Sequence, residues 1–363
     1  MNKTLLVGDL HLKAALILPM VEQAAKTLNA QQIILMGDYV DAFAQKTNTS
    51  LYLNELNYLL LWKSKLQAKG LTVITLLGNH DASYLINAPK IYSLMDHAGF
   101  KQVSEKLIAL NLQVAFKLGK FLVSHAGYTR DSELVPWHLI PLANPQSSQG
   151  LHPLSEQATT RIEKLADQVG FSRGGATNQL GSPIWADFQH ELLSFYNQDY
   201  PHQIVSHTPQ PHIQVGPLTD IDTFEVKPQL TAPFARLLGS GEILLFEDNH
   251  LTPVPLNWSQ ALTSQKIVAY FQRTQHTETY KEILINFDEW SLCTNQQKYF
   301  LTNLQFDVFI YLYQHAGKTI TPAELKEQIF AHYEPSRSTF ESTMHTLTTI
   351  VPRLSHDEFG YQL

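Results

Sequence analysis

Short apolar runs alternate with longer amphipathic stretches over the first third of the chain. Thr4–Val7 is apolar and ends at Gly8-Asp9, Leu16–Leu28 has helical spacing, and Gln32–Met36 ends at Gly37-Asp38. Leu51–Ala68 reads as a long amphipathic helix, and Leu71–Leu77 ends at Gly78-Asn79-His80-Asp81. Uninterrupted apolar runs of this length predict strands covered on both faces, and their alternation with helices predicts a parallel sheet flanked by helices. Gln113–Lys117 and Phe121–Ser124 predict a hairpin about Gly119 that delivers His125-Ala126-Gly127. A Pro-rich, helical stretch from Arg130 to Tyr200 leads to Gln203–Val205 and then Ser206-His207-Thr208-Pro209, with further strands expected over Ile221–Phe224 and Glu242–Phe246.

The character then changes. Prolines and polar residues over Asn249–Asn257 predict a linker, which divides the chain into residues 1–250, a linker over 251–280, and a smaller domain over 281–363. In the last, Glu282–Phe287 and Lys298–Leu301 read as strands. Asn303–His315, Pro322–Ala331 and Thr339–Val351 read as helices, and Phe359–Leu363 as a closing strand.

At 363 residues the chain is long enough for two domains. Its 44% hydrophobic content excludes a disordered or collagen-like chain. No apolar run approaches the roughly 18–20 residues that span a bilayer, so no membrane association is expected. The apolar stretch before Asp9 is too short for a signal peptide. Cys293 is the only cysteine, which excludes an internal disulfide and fits a reducing environment, so the expected location is cytoplasmic. A net charge of −7 argues against nucleic acid as a partner, while 16 histidines supply abundant imidazole.

Several of those histidines stand where the predicted strands end. In order, the polar clusters are Asp9-Leu10-His11, Asp38-Tyr39-Val40-Asp41, Asn79-His80-Asp81, His125 and His207. Ligands of open α/β sheets collect at carboxyl ends of strands. Mixed oxygen and imidazole donors suit Mn, Fe or Zn better than the all-oxygen sites of Ca or Mg. Asp9 and Asp38 could each cap a following helix, but capping does not explain a partner His or Asp beside both; for Asp81 the cap is the preferred reading. His97, His138, His152, His190, His202 and His212 are read as ordinary hydrogen-bonded residues.

Gly8-Asp9-Leu10-His11, Gly37-Asp38-Tyr39-Val40-Asp41, Gly78-Asn79-His80-Asp81, Ser124-His125-Ala126-Gly127 and Ser206-His207-Thr208 together resemble the five motifs of calcineurin-like metallophosphoesterases, within the branch of phosphoprotein phosphatases and diadenosine tetraphosphatases. The resemblance runs from Leu5 to about Phe246. It implies an α/β sandwich of mixed sheets flanked by helices and a site for two divalent or transition metal ions. Asp9 and His11 would hold the first, Asp38 would bridge, and Asn79, His125 and His207 would hold the second. Such a pair activates a bridging water for direct, in-line attack on phosphorus. The resemblance also implies that His80 protonates the leaving oxygen and that Asp41 fixes its tautomer.

The pattern departs from that branch in four places. Ala42-Phe43 replaces Arg-Gly, Asp81-Ala82-Ser83-Tyr84 replaces the Glu and later Arg of the third motif, Ser206 replaces Gly, and no second His follows His207. The absent arginines normally grip phosphate in bidentate fashion. Arg130, Arg173 and Arg161 lie in the segment that could substitute, with Arg130 and Arg173 taken as substrate-binding candidates. Gly174 to Trp185 resembles the branch's active-site rim, although Trp185 could simply pack beneath a loop.

In the second domain, Leu301 to Asp307, Ile320 to Leu325, Ser338-Thr339-Phe340 and Phe359 to Leu363 resemble the winged-helix domain of OmpR-type response regulators. That fold reads DNA through its third helix, yet no Lys or Arg lies between Arg337 and Arg353, and from Thr252 onward eight Lys and Arg face eleven Asp and Glu. The expectation is a protein-contact or self-association module, not a DNA reader. For the chain, the expectation is a metal-dependent phosphoesterase acting on phosphomonoesters of a protein phosphatase type. A dinucleoside polyphosphate hydrolase and a transcription regulator with a phosphoesterase-like sensor are the alternatives.

Overall fold

All four residues of Thr4–Val7 (β1) are buried because the strand is covered on both faces. The computed structural model describes residues 3–43, 45–143, 154–228, 235–237, 239–258, 277–286, 291–329, 337–357 and 359–363. Helix α1 (Ala14–Leu28) returns the chain to β2 (Gln32–Leu35), and α2 (Thr49–Ala68) to β3 (Thr72–Thr75); these three strands are parallel. Alternate residues separate the two cores. Leu5, Val7, Ile33, Leu35 and Val73 pack with Ile17, Leu18, Leu56, Leu59 and Trp62 of the helices. Leu6, Ile34 and Met36 face Leu118, Val123 and Ile204 of a second sheet.

That second sheet has the order β4 (Ala115–Leu118), β5 (Phe121–Ser124), β6 (Gln203–Val205), β7 (Leu218–Asp220), with β4 antiparallel and the rest parallel. Helices α3 (Asn79–Leu85), α4 (His97–Ala109) and, later, α5 (Glu156–Asp167) join α1 and α2 in the first core, through Tyr84, Phe100, Val103 and Ile162. A short antiparallel ribbon, β8 (Val226–Pro228) with β9 (Ala235–Leu237), precedes β10 (Glu242–Glu247), which pairs antiparallel with β1 and completes the first sheet together with β11 (His250–Pro255). The result is the expected sandwich of mixed sheets flanked by helices.

Two segments differ from expectation. The strand expected at Ile221–Phe224 lies at Leu218–Asp220: Ile221 and Phe224 are buried, but Asp222 turns its N–H onto the Asp220 carboxylate (3.0 Å) instead of a neighbouring strand. The linker expected from residue 251 opens with β11. Pro253 and Pro255 are tolerated there because β11 is an edge strand with one unpaired side. The linker's last residues, Thr277–Tyr280, form a strand, while residues 259–276 lie outside the described residues, as do His152, Phe287 and Ala331.

The remaining residues build an antiparallel meander, β12 (Thr277–Tyr280), β13 (Ile283–Asn286), β14 (Ser291–Thr294) and β15 (Gln297–Phe300). Three helices follow, Asn303–Gln314, Pro322–Gln328 and Arg337–Ile350, and then a ribbon of β16 (Ser355–His356) and β17 (Tyr361–Gln362). Thr302 caps the first helix through the Gln305 N–H (3.3 Å), and the Gln305 side chain accepts the Thr302 N–H in return (3.0 Å). A separate apolar core of Ile285, Leu292, Phe306, Phe309, Leu325 and Leu347 holds this unit together. Among the described residues no helix is long and apolar enough to cross a membrane.

Candidate metal centre

The strands that are parallel in each sheet aim their carboxyl ends at one place. Asp9 follows β1, Asp38 follows β2, Asn79 and His80 open α3 after β3, His125 follows β5, and His207 follows β6. Asp9, Asp38, His125 and His207 each offer a ligand atom within 4.8 Å of the others, and so do His11, Asp38 and His80. Asp38 is common to both groups. Its Oδ2 lies 3.5 Å from His125 Nε2, 3.6 Å from His11 Nε2 and 4.0 Å from His80 Nε2. Asn79 joins through Oδ1, 3.1 Å from His125 Nε2. His80 therefore stands as close to Asp38 as a ligand would, and Asp9 lies with His125 and His207 as well as 3.6 Å from His11.

Backbone geometry aims these groups. His11, Asp38, Asp41 and His207 all have positive φ, from 39° to 73°, the left-handed region that side-chain-bearing residues adopt only when their surroundings enforce it. His125 Nδ1 meets the Met36 carbonyl (2.9 Å) and His11 Nδ1 the Asp41 carbonyl (2.8 Å), so each donates from Nδ1 and turns its Nε2 inward. Neither acid caps the helix that follows it, since the N-cap of α1 is Lys13 and that of α2 is Asn48. Asp81 does cap α3 through the Gly78 N–H (3.0 Å), and it also accepts from Asp38 N–H (2.8 Å) and Tyr39 N–H (2.9 Å), stapling the second motif to the third.

Two glycines keep the approach open. Gly37 has φ +111°, and a Cβ on Gly78 would sit 2.0 Å from Asp38 Oδ1. Gly78→Ala must therefore displace Asp38. A displacement near 1 Å costs on the order of 100-fold in turnover, and steady-state assays of the variant will show that loss with the fold retained by circular dichroism.

Electrostatics follow from burying so many titratable groups together. Burial alone raises the Asp38 carboxyl, but the charges of His125, His80 and His11 outweigh it and hold Asp38 well below the usual carboxylate range. Burial lowers His80 and His125, yet Asp38 and, respectively, Asp41 or Asp9 bring each up to about 9. His207 goes the other way, pushed well down by burial and by the charges of His125 and Arg173.

The donor set is one a metal ion completes. Asp9 Oδ2 and His207 Nε2 are buried without a hydrogen-bond partner, a condition that a bound cation relieves. A family model for calcineurin-like phosphoesterases matches residues 3–215. The chain belongs to that family. This phosphoesterase is thus a metal-dependent hydrolase of phosphoric ester bonds, and its buried Asp and His cluster is where the family's divalent ions fit.

Among solved structures, the phosphoesterase is similar to the cold-active protein-tyrosine phosphatase of a psychrophile, Shewanella sp., at 16% identity over 71% of this chain and 79% of that one, with a TM-score of 0.42. It is also similar to a protein serine/threonine phosphatase from Saccharomyces cerevisiae with similarity to human phosphatase PP5, at 15% identity over 70% of this chain and 83% of that one, with a TM-score of 0.38. No curated protein matches it.

The two substrate-binding candidates part company. Arg173 lies beside His207, with Nη2 on Asp187 Oδ2 (2.9 Å) and Thr208 Oγ1 (3.1 Å) and a buried Nε that has no partner. Arg130 is 63% exposed, 3.8 Å from Asp131 and stacked over Phe195, while Arg161 lies over Trp137. Trp185 packs edge-on to His207 with ring centroids 5.9 Å apart. His138 is a buried partner of the Tyr128 hydroxyl, pushed down to about 4 by burial. Several neighbours of the phosphoesterase centre had no role assigned from the sequence. Ser206 Oγ donates to Asp9 (2.6 Å), Tyr92 packs at a tilt against His80 (4.2 Å between centroids), and Tyr52 and Tyr84 reach Asp41.

Proposed function

We propose that this phosphoesterase hydrolyses phosphomonoesters, in the manner of a protein phosphatase, with His80 as general acid. The observation that carries this reading is the 2.8 Å contact of His80 Nδ1 with Asp41 Oδ2, placed against the Asp38 cluster. An ionised Asp41 can only accept, so Nδ1 carries a proton and Nε2 faces Asp38 and the reaction centre. Burial disfavours the charged imidazole, but the charges of Asp38 and Asp41 outweigh it and favour a protonated His80 near neutral pH, as an acid must be before it delivers a proton to the leaving oxygen.

Asp9, His11, Asp38, Asn79, His125 and His207 would hold two ions, and their oxygen and imidazole donors suit Mn, Fe or Zn. Such ions, when bound, supply Lewis acidity toward the phosphoryl oxygens and activate water. Arg173 supplies the positive charge for a substrate phosphate in place of the two arginines missing after Asp41 and Asp81, because its unpartnered Nε lies on the His207 side of the centre. Arg130, paired on the surface, is not needed. The second unit is proposed to be winged-helix-like and to contact protein, not DNA, since the helix Arg337–Ile350 has no basic residue in its last turn and none after Arg337. The single cysteine, Cys293, supports a reducing, cytoplasmic location.

Mn-dependent hydrolysis of p-nitrophenyl phosphate and phenyl phosphate by wild type and His80→Ala tests the reading. Wild type should turn over both esters, and the variant should lose roughly 100-fold or more on phenyl phosphate, the scale of a lost general acid, and less on the activated nitrophenyl ester. A wild type inert toward both esters with Mn, Fe and Zn overturns the monoesterase assignment.

A further inference from the structure

The Asp41 carboxylate is buried and fully used. Its Oδ2 faces His80 Nδ1 at 2.8 Å, and its Oδ1 lies 2.8 Å from the Tyr52 hydroxyl and 2.6 Å from the Tyr84 hydroxyl. Tyr52 comes from α2 and Tyr84 from α3, so two elements close on one oxygen atom. The direction of these bonds is settled by a neighbour. Leu94 N–H donates to the Tyr84 oxygen (2.7 Å), which leaves the hydroxyl hydrogen for Asp41. The Tyr84 ring is itself fixed, stacked on Phe100 of α4 with centroids 4.2 Å apart.

Resting on the reading of His80 as general acid, we propose that Tyr52 and Tyr84 are positioning residues for the His80–Asp41 pair. By occupying Oδ1 they hold the carboxylate in one rotamer and reserve Oδ2 for the imidazole. Burial and the Asp41 charge raise both phenols well above their ordinary range, so they remain donors wherever the enzyme works. Without them Oδ1 is a buried anionic acceptor with no donor, and the carboxylate rotates to share both oxygens with His80 or draws in water. Asp41 sits at φ +56° and its carbonyl also accepts from His11 Nδ1, so a loose Asp41 would disturb two imidazoles.

The test uses Tyr52→Phe, Tyr84→Phe, the double variant and His80→Asn in the full chain with Mn. The substrates are phenyl phosphate, which needs a proton on its leaving oxygen, and 2,4-dinitrophenyl phosphate, which does not. Each single variant should lose about tenfold in kcat on phenyl phosphate, the worth of a hydrogen bond to a charged group, and less than about threefold on the dinitrophenyl ester. Equal losses on the two esters, or none, would overturn the proposal, since a purely structural role does not distinguish leaving groups. A second measurement does not depend on turnover. In Zn-loaded, diamagnetic protein labelled with 15N-histidine, the Nδ1–H resonance of His80, assigned by its absence in His80→Asn, should shift or broaden in the double variant; an unchanged resonance overturns the proposal. If His80→Asn itself fails to distinguish the esters, the general-acid reading fails, and the resonance still decides whether the tyrosines position the pair. Should the double variant not fold, each single variant decides by the same two measurements.

Discussion

Asp38→Asn is expected to lose activity more heavily than any other single substitution at the centre, on the order of 1,000-fold or more, beyond the roughly 10–100-fold typical of residues that only support a metal ligand. The reason is that Asp38 alone belongs to both clusters of ligand atoms, while its other oxygen accepts the His80 N–H at 3.0 Å. Asparagine keeps the shape and the acceptor but removes the negative charge against which His125, His80 and His11 are arranged. Loss of activity should therefore coincide with loss of bound metal, read by plasma mass spectrometry after gel filtration. A variant that keeps both its metal and its turnover would place the reaction elsewhere.

The second large effect concerns stability. Lys46, just before α2, and Asp307, in the helix Asn303–Gln314, form a 2.7 Å ion pair with both side chains less than 10% exposed. It ties the phosphoesterase unit to the second unit, beside Met95, whose side chain packs on the second core and whose N–H donates to the Lys46 carbonyl (2.7 Å). Removing one partner of a buried pair takes from the other its counter-charge at 2.7 Å, which costs about 3–5 kcal/mol. Asp307→Ala and Lys46→Ala should each lower the unfolding free energy read from denaturant titration by that amount, and a double-mutant cycle should return a coupling energy well above ~0.5 kcal/mol, the scatter of independent sites. Additive, sub-kcal effects would mean the pair is a bystander.

How much of this was legible in the chain depends on what each residue answers to. β1, β2, β5 and β6 announced themselves because strands covered on both faces must be apolar throughout, and their boundaries followed within a residue or two. The polar clusters were visible for the same reason, since a charged residue directly after a buried strand is conspicuous. β11 was hidden because an edge strand may carry proline and polar residues, the composition of a linker. The helix α4, His97–Ala109, went unmarked although Asp96 caps it, because its apolar residues Phe100, Val103 and Leu107 are sparse. Tyr52 and Tyr84 gave no sign at all: a tyrosine on an amphipathic helix reads as packing until its hydroxyl is seen to meet Asp41. Choosing between Arg130 and Arg173 needed three dimensions, because both sit in irregular backbone whose path the sequence does not dictate.

The pairing of β1 with β10 sets when this centre can exist. Leu5 and Leu245 are partners across the full length of the phosphoesterase unit, and Asp9 waits for Ser206 and His207. At translation rates of about 5–20 residues per second, the nascent chain carries Asp9, His11 and Asp38 outside the ribosome for roughly 10 to 50 s before the strand that closes their sheet is made. The early carboxylates and imidazoles are therefore solvated and unassembled for most of synthesis. Metal capture belongs to the end of biogenesis, and a chain stalled before residue 207 would carry five of the six proposed ligands and lack His207, the residue that completes the buried cluster with Asp9, Asp38 and His125.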